Sequence, residues 1–97
     1  MNLQEATEAV KAKVGTDSGL GATVKFELED GVIYVDAKTV PNVVSNEDKD
    51  ADCTIRVTLE NFSKMLQGDL DSTLAYMTGR LKVEGNMGVA MKLSSVL

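Results

Sequence analysis

Glu47, Asp48, Asp50 and Asp52 form the densest run of carboxylates in the chain, and hard cations such as calcium bind through several such oxygens. The run lacks the glycine and the terminal glutamate spacing of an EF-hand loop, so it reads first as a solvated, charged connector with no metal to hold. Cys53, the single cysteine, follows directly. A thiol nucleophile needs a neighbouring base or a depressed pKa, and the sequence has no histidine. Ser-His pairs, an imidazole base and histidine metal sites are excluded for the same reason. The turn Gly85-Asn86-Met87-Gly88 could hold an anion on backbone amides at a helix start, but it matches neither a P-loop nor a dinucleotide fingerprint. Four of the five methionines, Met65, Met77, Met87 and Met91, lie in the last third of the chain on apolar helical stripes. Such unbranched, polarizable side chains suit a deformable apolar pocket or an ordinary core, and by themselves they favour the core.

These groups must be positioned by one domain, residues 1–97, because 97 residues are too few for two. A net charge of -5 provides no basic field for a phosphate backbone, and 4% aromatics provide no stacking platform, so nucleic acid is excluded as a partner. Apolar runs are short, which leaves neither a spanning helix nor a signal-peptide core. The C-terminal Ser95-Val96-Leu97 is not the Ser-Lys-Leu peroxisomal address, and a single cysteine fits a reducing compartment, so the expected location is the cytoplasm.

Leu3, Ala6, Val10 and Val14 recur at helical spacing and Gly15 ends the helix. Two alternating runs then flank Asp30-Gly31 and predict a hairpin in which Leu28 faces Ile33, Phe26 faces Val35, and Lys25 meets Asp36. A strand within Val40–Ser45 is weakened by Pro41, and residues 51–59 alternate as a further strand. The period then changes to 3.6. Thr58 or Asn61 caps a helix with the stripe Phe62, Met65 and Leu66, and Asp69 or Asp71 caps a shorter one with the stripe Leu70, Leu74 and Met77. Arg80–Glu84 is a strand, and the helix after Gly85-Asn86 is apolar enough to predict cover on more than one side. The order predicts an α+β fold, helices covering one face of a mainly antiparallel sheet and the other face wet.

Residues 50–55, Phe62 with 65–68, and the block Ala75-Tyr76-Met77-Thr78-Gly79-Arg80-Leu81-Lys82-Val83-Glu84-Gly85-Asn86-Met87-Gly88-Val89-Ala90-Met91-Lys92-Leu93 closely resemble the sterol carrier protein 2 family of lipid-transfer domains. The resemblance implies a five-stranded sheet covered by helices around an apolar tunnel for fatty acids, fatty acyl-CoA, phospholipids or sterols, with no catalysis and no cofactor. It implies a lining drawn from Ile55, Phe62, Leu66, Leu74, Met77, Leu81, Val83, Met87, Ala90 and Met91. The hairpin register adds Phe26, Ile33 and Val35. The N-terminal region is short by family standards, which implies a tunnel that is shallower or open on that side, or one closed by a second copy of the chain in a homodimer. Ending four residues after the matched block, the chain is expected to be a free-standing bacterial member. The implied partners are a lipid and, transiently, a membrane, with an accessory module for a separate enzyme as the alternative role.

Overall fold

The computed structural model describes residues Met1–Leu97. The chain runs α1 (Leu3–Val14), β1 (Thr23–Leu28), β2 (Gly31–Asp36), β3 (Val43–Ser45), β4 (Cys53–Val57), α2 (Leu59–Leu66), α3 (Ser72–Met77), β5 (Leu81–Gly85) and α4 (Met87–Val96). The five strands form one sheet in the order β3-β2-β1-β4-β5. Only the β1–β4 pair is parallel, so the sheet is mixed and mainly antiparallel, as predicted.

Alternation in the strands sends one set of side chains toward the helices and the other away. Val24, Phe26, Ile33, Val35, Cys53 and Ile55 join Ala6, Val10 and Val14 of α1 and Phe62, Met65 and Leu66 of α2 in a single core. The Phe26 and Phe62 rings pack at its centre, centroids 4.9 Å apart. On the other face the Arg56 guanidinium donates to Glu27 at 2.6 Å and reaches Glu84 at 2.9 Å, tying β1, β4 and β5 together.

The acidic run is a strap. It carries the chain from β3, at one edge, to β4 on the far side of β1, and it does so across the polar sheet face. Lys25 meets Asp48 at 2.9 Å, and that hydrogen bond holds the Lys25 ammonium above its ordinary pKa. The Tyr34 hydroxyl donates to the Asp50 carbonyl, while the Lys49 ammonium lies 5.7 Å from the Tyr34 ring centroid. Glu47 pairs with Lys49 and Asp52 with Lys38. Three of the four carboxylates are therefore turned to lysines and not to one another.

Four local expectations are corrected. The hairpin pairs Leu28 with Gly31, Phe26 with Ile33 and Val24 with Val35, a register two residues tighter than predicted. Gly31 has a φ of 148° and opens β2 itself, with the Leu3 side chain filling the space a Cβ would take, so Glu29-Asp30 form the turn. A shift of two preserves parity, which is why the apolar face survives while Lys25 loses Asp36 and faces Tyr34. The strand in Val40–Ser45 shrinks to three residues after Pro41. In α3 the buried residue is Ala75, and Leu74 and Met77 face solvent. The small side chain lets α3 approach β5, with Leu70 and Leu81 as buried anchors at its two ends. Finally, α4 buries Val89 and Leu93 but leaves Met87 and Met91 exposed, because only the β4–β5 end of the sheet is there to cover it.

Candidate functional site

Helices α3 and α4 stand apart over the β4–β5 end of the sheet and leave an open-mouthed apolar cleft of about 310 Å³. Its floor is Phe26, Ile55, Leu81 and Val83, residues that strand alternation turns toward the helices. Met87, Ala90, Met91 and Ser94 of α4 form one wall at i, i+3, i+4 and i+7, and Ser72, Thr73 and Tyr76 of α3 form the other. Met65, Ser72, Ser94 and Leu97 also border a second hollow of about 270 Å³, which continues the cleft past Gly68, Leu70 and Asp71. This second hollow is the more polar of the two, with Asp71 at its border.

The placement of α4 follows from a short chain of backbone contacts. The Asn86 N–H donates to the Asp52 carbonyl at 2.9 Å, and the Asn86 side chain accepts from the N–H groups of Gly88 and Val89. Those helix-start amides are thus used by the cap itself, which disposes of the anion-binding reading of this turn. Gly85 has a φ of 95°, and a Cβ on it would overlap the Asp52 carbonyl oxygen. Asp52 is fixed in turn by Thr23, whose N–H donates to its carboxylate and whose hydroxyl accepts from its N–H. The Thr23 N–H and the nearby Lys38 ammonium hold the Asp52 carboxyl below its usual range.

No charged side chain borders the larger hollow. Eleven of its fourteen lining residues are hydrophobic, and the other three, Ser72, Thr73 and Ser94, carry hydroxyls. Ser94 donates its own to the Met91 carbonyl. Arg56, Arg80 and Lys92 lie outside this lining. Cys53 is fully buried beneath the sheet–helix layer, and burial pushes its thiol pKa up, which leaves it without the properties of a nucleophile. What the cleft can offer is apolar contact.

Of the residues singled out from sequence, Phe26, Ile55, Leu81, Val83, Met87, Ala90 and Met91 border the cleft. Ile33, Val35, Phe62 and Leu66 belong to the closed core beside it, and Leu74 and Met77 lie on the outer side of α3. Met65, Ser72, Thr73, Tyr76, Leu93, Ser94 and Leu97 were not in the expected lining. For α4 the helical stripe through Met87 and Ala90 contained the signal for Ser94; for α3 nothing in a six-residue element distinguishes Tyr76 from Met77 as the inward residue.

A family model described as the SCP-2 sterol transfer family matches residues 3–97. The chain is 36% identical over 84 residues to human Sterol carrier protein 2, covering 79% of this chain and 15% of that protein. It is 34% identical over 102 residues to human Hydroxysteroid dehydrogenase-like protein 2, covering 98% of this chain and 24% of that one. The chain thus spans a quarter or less of the length of these curated relatives. Among solved structures, palmitated SCP2L2 from Aedes aegypti superposes with a TM-score of 0.75 at 24% identity, covering 99% of this chain and 94% of that one. With the matching family model spanning nearly all of its residues, this chain belongs to the SCP-2 sterol transfer family.

Proposed function

We propose that the chain binds the hydrocarbon part of a lipid in the α3–β5–α4 cleft and carries it between intracellular sites without making or breaking a bond. The observation that supports this most directly is the cleft itself, apolar on its floor and free of charged lining residues. A relative of the same fold is described as palmitated. At ~0.8 kcal/mol per buried methylene, ten methylenes give about 8 kcal/mol before ordering costs, the scale of micromolar binding. Fatty acids, fatty acyl-CoA, phospholipids and sterols all offer such surface. With no cation at the cleft to select a headgroup, chain length should govern affinity. Titration with a fluorescent fatty acid and displacement by acids of increasing length tests this; no binding, or affinity independent of length, overturns it.

A second reading is that the domain presents a lipophilic substrate to an enzyme. The match to about a quarter of Hydroxysteroid dehydrogenase-like protein 2 favours it, since that name describes an enzyme-like protein of which the matched segment is a part. Transfer of labelled lipid between vesicles by this chain alone supports the carrier, whereas binding without transfer supports the presenting role.

A further inference from the structure

Of the eight large apolar side chains that stand exposed, five lie on the two helices that flank the cleft, Leu74, Tyr76 and Met77 on α3 and Met87 and Met91 on α4, while Met1, Val40 and Val43 lie elsewhere. Met77 and Met91 are the most exposed, at 76% and 73%. Scattered single apolar residues on a surface need no explanation, but five on the two short helices that flank one cleft do. Leu74 and Met77 do not border the cleft, so ligand binding does not account for them. They extend its apolar rim outward onto the protein surface.

Charge is distributed to match. Fourteen of the fifteen acidic side chains lie before Ser72, where they outnumber the basic ones two to one. From Ser72 onward the one acidic side chain is Glu84, and Arg56 holds it on the opposite sheet face at 2.9 Å. Arg80, at the turn between α3 and β5, and Lys92 on α4 are exposed and take part in no ion pair. The helical layer around the mouth is therefore free of acidic side chains, apart from the Asp71 that caps α3, in a chain of net charge -5.

We infer that the outer faces of α3 and α4 are a docking surface for an anionic lipid bilayer. Leu74, Tyr76, Met77, Met87 and Met91 enter the interface, Arg80 and Lys92 meet acidic headgroups, and the acidic remainder of the molecule points away from the membrane. Docking in this pose sets the cleft mouth against the acyl region, so a lipid can pass between bilayer and cleft along apolar surface and without crossing water. Oriented repulsion of the acidic body selects this face over others.

Flotation of the full chain with phosphatidylcholine vesicles containing phosphatidylserine reads the docking without any cleft ligand. The native chain is expected to float with these vesicles and to float less at high salt. The double variant L74E/M77E should reduce vesicle partition about tenfold or more, since it removes two apolar contacts and adds two like charges. Because neither residue borders the cleft, that variant should still bind a fluorescent fatty acid as the native chain does. Met77→Trp, which places an interfacial aromatic at the same point, should increase partition and covers the case in which the double variant does not fold. Failure of the native chain to float, or unchanged flotation of both variants, overturns the docking surface whatever the cleft binds. A native dimer that becomes monomeric in L74E/M77E, without vesicle binding, assigns the patch to a second copy and equally overturns it. Absence of fatty-acid binding with normal flotation removes the cleft reading and leaves the docking surface standing.

Discussion

Asp52 shows how one residue can change meaning between sequence and structure. In the sequence it ends an acidic run that resembles an ion site; in the fold its carboxylate takes the Thr23 N–H and faces Lys38 at 3.3 Å, while its carbonyl takes the Asn86 N–H at the start of α4. It joins the first strand, the fourth strand and the last helix. Its folded pKa lies below the ordinary carboxylate value, so the charged form is favoured by folding. That stabilisation is complete above the unfolded pKa of about 4 and is lost as pH falls from there through the depressed folded value. Asp52→Asn is therefore expected to be less stable than the native chain at pH 7, with the difference shrinking toward pH 2. Urea titrations across that range check it, and a difference constant with pH would remove the charge from the explanation. Cys53 is the contrasting case, because the alternation of β4 by itself turns it inward, where it is fully buried.

The helices that cover the sheet differ in how far their patterns could be read. Helix α2 is long enough that Phe62, Met65 and Leu66 define a stripe, and all three are buried. Helix α3 has six residues, fewer than two full turns, and several orientations satisfy its composition equally. Packing chose the one that puts Ala75 against β5 and sends Leu74 and Met77 outward. In α4 the apolar residues cover most of the circumference, but the fold covers only one side and the remainder becomes cleft wall and exposed rim. The wall makes a test at the level of the element. Ala90→Trp puts a large ring into the cleft from a half-buried position. It should lower fatty-acid affinity about tenfold or more while leaving the far-ultraviolet circular dichroism of the fold unchanged, because the ring occupies the volume of a few methylenes that the ligand would otherwise fill.

At the scale of the molecule, a chain of 97 residues leaves apolar volume empty that a closed core would have used. A ligand in the cleft supplies the missing contacts, and binding only to the folded state stabilises it by RT ln(1 + [L]/Kd), about 2.7 kcal/mol at a hundredfold excess over Kd. For a domain of this size that corresponds to a rise in Tm on the order of 10 °C, read by a thermal scan with and without palmitate. The same scan on Ala90→Trp, at the same palmitate concentration, should show about half that rise or less, and an equal rise in both would place the ligand elsewhere. The α+β order, the apolar face of the hairpin, a choice of two caps for each of α2 and α3, and the family resemblance were legible in the residues, because strand parity, helical period and caps are local properties; Asn2, the cap of α1, was not read. Even the two-residue error in hairpin register left the apolar face intact. Which apolar residues close a core, which line a hollow and which face solvent was decided only by tertiary packing. Ile33 and Met77 are both apolar at regular spacing, and what separates them is whether another element comes to lie against them.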